Sequence, residues 1–429
     1  AAIVETTRLG GVRLRAEQNP DGGWPFQVGN NVCGAGAASC TNTIGTTGLG
    51  LLAAYVRFND AATLAAAMKA GDLLVARANL ALAQATPPSP VSRDIEFLVA
   101  LADVAQDPLK APAYANAARD WFNVTVTKFP NAAQQVDSYL DKRNAQGLRS
   151  LAAWDAASYI RAAKAVGSTS RAIDAATRII QREIDWKDKD PSHRFDRCGD
   201  PGGCGQPGNL LSYDYTSIGT GSLLWGIHDL PGFDSSIAEY RDFLITQQDA
   251  AGSWDAGDLQ MTSFVMMGLA AVGGPQANAA IVSAANYLLA HQFPAAPAIG
   301  GWPAEGSAVD PSSEFPEVDG EIVRAMATVF STPTGANIAV VPSQLSTVIF
   351  SSVTSPGQTT VVAVDQATVP ATSNGYEIVN SLTYEVATTA EVSGDIVVCF
   401  TVSSIDDPDA FAALRILHGE DGVLVDRTI

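Results

Sequence analysis

Hydrophobic residues recur at helical spacing through the first three-quarters of the chain and alternate with polar ones at strand spacing through the last quarter. The helical part repeats itself. Three helical stretches end in Leu-x3-Gln followed by Gly-x-Trp: Leu14, Gln18, Gly22 and Trp24; Leu244, Gln248, Gly252 and Trp254; Leu288, Gln292, Gly300 and Trp302, with four extra residues between Gln and Gly in the last. Glycine admits the left-handed backbone that stops a helix. A tryptophan two residues on can then fold back over the helix end, within reach of the Gln amide.

A second kind of helix alternates with these, polar at its start and then rich in Gly, Ala, Ser and Thr. Its copies begin near residues 43, 92, 148, 212, 258 and 318. Small residues let helices pack closely on several sides, as an inner ring requires. The partner helices are longer and more charged, at about 3–18, 60–84, 111–128, 169–184, 234–248 and 275–292. Strict alternation of six outer and six inner helices predicts a mainly α fold, an (α/α)6 toroid of six helical hairpins over residues 1–335. Inner-to-outer turns are short and outer-to-inner loops are long, so the long loops gather at the N-termini of the inner helices. Short alternating runs with turn signals predict a small antiparallel β-sandwich over residues 336–429.

The Gln-x3-Gly-x-Trp repeats resemble those of the terpenoid cyclase and protein prenyltransferase toroid superfamily. That fold hosts many chemistries, so it implies architecture before activity. The family's cyclases carry Asp-x-Asp-Asp; here the only Asp-Asp pair, Asp406-Asp407, lies in the β part. Its prenyltransferases need an Asp, Cys and His zinc site, and His193, His228 and His291 have no such spacing with a cysteine. A thioester would need Cys-Gly-Glu-Gln where Cys204-Gly205-Gln206-Pro207 stands. Neither a terpene cyclase nor a prenyltransferase is expected. The stretch NPDGGWPFQ, followed by a Thr-rich inner helix, looks like the opening of toroid pectate lyases, although Ile44 and Gly45 replace that family's polar groups. The β part resembles small domains of bacterial surface and exported proteins, which run on past this chain's last strand; the sandwich is therefore expected to be incomplete at its C-terminus.

Paired carboxylates serve as general acid and base, and aromatic rings stack on sugar faces. At the loop face the residues singled out for catalysis are Asp214, Tyr213, Asp155 and Arg149, with Tyr213-Asp214-Tyr215 the strongest cluster because two aromatics flank a carboxylate. Tyr215, Arg93, Asp94, Asp258, Asp319 and Glu321 are the candidates for ligand binding. An Asp at a helix start also has a plainer use, capping the first turn.

With 45 acidic residues against 26 basic ones, a net charge of −19 disfavours nucleic acid as a partner. No apolar run is long enough to cross a membrane. Cys33 with Cys40 and Cys198 with Cys204 read either as metal knuckles or as two disulfide staples of long loops, and the spacing favours staples. Cys399 is expected to be either a buried thiol or a cysteine whose partner lies beyond the present C-terminus. No metal site and no cofactor are predicted, beyond a structural calcium. Disulfides and the small residues at the start of the chain predict a secreted or cell-surface protein after removal of a signal peptide. Two readings of function follow: a toroid that binds or processes an extracellular glycan at its loop face, or a structural component of an extracellular assembly that self-associates through the β-domain.

Overall fold

The computed structural model describes residues 2–429 except 31–32, 34–38, 106, 141–152, 188–215, 305–309, 329–331, 333, 344–345, 356, 358, 364–382, 389, 403–404, 406 and 421–422. The chain divides into two units, Ala1–Val329 and Phe330–Ile429. In the first, outer and inner helices alternate. The outer α1 (Ala2–Ala16) leads to the inner α2 (Ile44–Phe58), and α3 (Ala61–Leu82) to α4 (Ser92–Val104). Next, α5 (Lys110–Lys128) leads through a short α6 (Ala132–Leu140) to the inner α7 (Ala153–Ala165). The last three pairs are α8 (Thr169–Lys187) with α9 (Thr216–Ile227), α10 (Asp234–Gln247) with α11 (Leu259–Val272), and α12 (Pro275–His291) with α13 (Pro316–Thr328). The helix α6 is one that the sequence pattern leaves inside a loop. Each inner helix touches the next, and α13 returns to α2, so the six inner helices close a ring. The fold is an α/α toroid.

The two helix classes differ in burial as their sequences require. The outer α3 buries one stripe, Thr63, Ala67, Ala70, Gly71, Leu74, Ala78 and Ala81. The inner α11 buries every residue from Met261 to Ala270, because neighbours surround it. Glycines permit the closest inner contacts: Gly50 of α2 lies against Gly320 of α13, and Gly221 of α9 against Gly268 of α11.

The three locks are alike to within 0.1 Å. Trp24, Trp254 and Trp302 are fully buried. Each donates its indole N–H over 2.8 Å to a carbonyl of its own outer helix: Leu14, Leu244 and Leu288. Each Gln amide donates twice, once to the Gly carbonyl of its lock and once to the next outer helix. Gln18 reaches Ala66 of α3 at 2.9 Å, Gln248 reaches Ala280 of α12 at 2.8 Å, and Gln292 reaches Thr6 of α1 at 2.9 Å. The lock glycines have φ of +104°, +97° and +95°. They press on the same neighbouring helices one turn beyond the Gln acceptor, at Lys69, Ser283 and Leu9. Gln292 and Gly300 thus join the last outer helix to the first and close the ring.

The second unit contains three small antiparallel sheets among the described residues. β2 (Ser346–Ser355) lies between β1 (Gly335–Ser343) and β5 (Glu391–Phe400). β3 (Thr359–Ala363) pairs with β4 (Tyr384–Thr388), and after α14 (Pro408–Ala412), β6 (Leu417–Glu420) pairs with β7 (Val423–Asp426). Val340, Val348, Phe350, Val353 and Ala390 form its core, and Val361 of β3 packs on it, so the first two sheets share one apolar layer. Cys399 is exposed on β5 and free, so a buried thiol is not what the chain carries there. Cys33 and Cys40 form a disulfide; Cys198 and Cys204 lie outside the described residues. No described helix is long and apolar enough to cross a membrane.

Gly300→Ala tests the closure. A methyl there meets the Leu9 carbonyl at 2.5 Å in a left-handed backbone, whereas one at Gly232, φ +88°, meets nothing within 4 Å. Urea denaturation should show Gly300→Ala losing about 3 kcal/mol or more, against about 1 kcal/mol for Gly232→Ala. Equal losses would show that the lock does not bear on the ring.

Candidate functional site

Seven of the charged residues on the inner helices α4, α7 and α13 meet one another across the ring in two tiers. The upper tier lies near the N-termini of the inner helices and centres on Arg93 at the start of α4. Its guanidinium stands 3.6 Å from Asp155 of α7 and 3.5 Å from each of Glu317 and Glu321 of α13. It also lies over the Trp154 ring, 4.6 Å from the centroid. Arg93 is only 5% exposed; its Nε and Nη1 make no hydrogen bond, and Nη1 faces Glu321 Oε1, which makes none either, at the 3.5 Å of that ion pair. Gln260 of α11 donates to the other Glu321 oxygen at 2.8 Å. Tyr139 of α6 reaches Ser92 beside Arg93 at 3.3 Å. Trp154, Asp155 and Tyr139 are half-buried.

The lower tier lies about one helical turn further along. Glu96 of α4 accepts from Arg324 of α13 at 2.6 Å and from Arg161 of α7 at 3.3 Å. Both guanidinium groups lie over the ring of Trp225 of α9, 4.0 and 4.1 Å from its centroid. Arg161 is further held by Ser222 and Ser158. Among the described residues the axis therefore holds three guanidinium groups and four carboxyl groups.

Burial and neighbours divide those carboxyls. Burial, helped by the nearby Glu317, pushes Glu321 up to about 8, against the opposing Arg93 and Gln260. Burial also raises Glu317, with Asp155 adding to it and Arg93 opposing. For Glu96 burial acts upward too, but Arg324 and Arg161 outweigh it and hold the carboxyl below its ordinary range. Near neutral pH the upper tier thus carries at least one protonated carboxyl, and the lower tier a carboxylate.

Of the residues singled out in the sequence, Arg93, Asp155 and Glu321 meet in the upper tier. Three others point elsewhere. Asp94 accepts from the Gly45 N–H at 2.9 Å and so caps α2 from the neighbouring helix. That contact explains the glycine: a methyl at Gly45 would lie 2.5 Å from the α4 backbone. Burial pushes Asp94 up to about 7, partly offset by that N–H and by Arg77 and Arg93. Asp258 caps its own helix through the Met261 N–H at 2.8 Å. Asp319 accepts from the Trp302 N–H at 2.8 Å, beside the buried Arg13–Glu314 pair. Arg149, Tyr213, Asp214 and Tyr215 lie outside the described residues. The sequence reading did not single out Glu317, Trp154, Arg161, Trp225 or Arg324. Their signal was a helical period of polar residues in otherwise small and apolar helices: Trp154, Ser158 and Arg161; Glu317, Glu321 and Arg324.

No protein-family model matches the chain, and no curated protein matches it. Among solved structures, a wild-type glycosidase is similar over 76% of this chain and 96% of its own, at 12% identity and a TM-score of 0.46. A polysaccharide lyase is similar over 76% and 95%, at 14% identity and a TM-score of 0.47. An ent-copalyl diphosphate synthase from Streptomyces platensis matches over 67% of this chain, at 14% identity and a TM-score of 0.35; the chain spans half the length of that protein. These proteins differ in reaction, so the activity of this chain has to rest on its own residues.

The raised carboxyls set a pH dependence. An unfolded carboxyl titrates near 4, so the folded chain binds extra protons at Glu321 and Asp94 between that pH and about 7 to 8. Their contribution to stability is complete below about pH 4 and is lost as pH rises through the folded values. The melting temperature should therefore fall between pH 5 and pH 8, and Glu321→Gln should fall less. Parallel pH profiles for the two proteins would contradict the assignment.

Proposed function

We propose that the toroid binds and processes an extracellular glycan at the upper tier of its axis. The observation that carries this reading is Arg93: a buried guanidinium with two unfilled donor positions, ringed by three carboxyls at 3.5–3.6 Å. Buried donors left without hydrogen bonds cost stability even in an ion-paired guanidinium, and a hydroxyl-rich ligand would fill those positions. Trp154 and Tyr139 offer aromatic faces in the same tier, as sugar rings require. Asp155 and Glu317 share one Arg93 nitrogen, so they stand within about 7 Å of each other. In this reading Glu317, raised by burial, delivers the proton to the departing oxygen. Asp155, the more exposed at 32%, acts as base or nucleophile. Secretion fits the Cys33–Cys40 disulfide, which persists in an oxidising compartment.

A panel of neutral and uronate-containing polysaccharides, read by new reducing ends and by unsaturated products, tests the proposal. One glycan should be cleaved, and Asp155→Asn and Glu317→Gln should each slow cleavage by about 10²–10⁴-fold without unfolding the chain. Failure to bind or cleave any member, or full activity in both variants, would contradict it.

A further inference from the structure

The lower tier differs from the upper in the sign of its imbalance. Two guanidinium groups, Arg161 and Arg324, share one carboxylate, Glu96. Within this tier one positive charge is left over, although the axis as a whole holds three guanidinium groups and four carboxyl groups. Arg161 is largely spent: it is 5% exposed, and Glu96, Ser158 and Ser222 take four of its five N–H donors. Arg324 can. Its side chain is 22% exposed and spends one nitrogen on Glu96, and its Nε and Nη1 make no bond within the described protein. Both guanidinium groups cover the ring of Trp225, itself half-buried, so what adjoins the free donors of Arg324 is the indole edge.

We infer that this tier is a second ligand site, for one small monocarboxylate seated on Arg324 beside Trp225. Three features select that class. A planar carboxylate matches the two parallel N–H bonds of a guanidinium edge. One negative charge balances the single surplus positive charge, whereas a dianion would meet Glu96 with charge to spare. The indole accepts a flat, partly apolar group at its edge and gives a tetrahedral oxyanion nothing to stack on. The site is distinct from the glycan site: it uses Arg324 and Trp225, and needs none of Arg93, Asp155 or Glu317.

Binding is read from the full chain by tryptophan emission and melting temperature, at constant ionic strength, with acetate and glucuronate against sulfate and glucose. The carboxylates should saturate, shift the emission and raise the melting temperature; sulfate and glucose should not. Arg324→Gln should weaken carboxylate binding about tenfold or more, and Arg324→Lys, which keeps the charge but loses the fork, should weaken it partly and folds even if the first variant does not. Trp225→Phe should remove the emission change. Sulfate equal to carboxylate, binding untouched in Arg324→Lys, or no saturable effect at all would each overturn the inference. None of those results depends on whether a polysaccharide is cleaved.

Discussion

Three of the six joints between outer helices in the toroid, the closing one among them, rest on a side-chain amide that serves two helices at once. Gln18, Gln248 and Gln292 each bond their own turn and the backbone of the next outer helix. Two hydrogen bonds per amide are modest in energy, but their direction is fixed. The adjoining glycine brings its turn onto the same neighbouring helix, at a spacing no side chain could share. The same geometry recurs at three joints, and the Gln292–Thr6 bond is where the first and last pairs meet.

Closing the ring determines what lies at its centre. Six inner helices pointing the same way bring their N-termini together at one mouth, and small residues let them approach closely enough to leave little space between them. Side chains on the axial face then meet one another. Here those side chains are charged. In the lower tier the pairing is direct, at 2.6 and 3.3 Å. In the upper tier the ion pairs stretch to 3.5–3.6 Å and leave donors of Arg93 unfilled. A fold selected for stability alone would favour hydrophobic groups at such positions. The unfilled positions are what a ligand would use.

The architecture was legible because each lock residue has a role few others can play: glycine for positive φ, tryptophan for a filled helix end, glutamine for a double donor. The centre was legible only in part. The starts of the inner helices drew attention to Arg93, Asp155 and Glu321, which meet. The same rule drew in Asp94 and Asp319, whose side chains leave the axis, because one or two residues along a helix turn the side chain by 100° or 200°. Ordinarily the apolar stripe fixes that rotation. An inner helix buried on every side has no such stripe, as in α11, so the sequence does not say which of its residues face the axis. Glu317, Trp225 and Arg324 were hidden for that reason. The helix α6 was hidden because nine residues without a lock resemble loop.

The central claim is that Arg93 is held in reserve for a ligand. A crystal structure of the chain with a bound oligosaccharide from any glycan it recognises measures this directly. The account predicts a sugar oxygen within hydrogen-bond distance of Arg93 Nε or Nη1, with the ring of that sugar beside Trp154. A sugar bound away from the axis, with the Arg93 donors still unfilled, would contradict it.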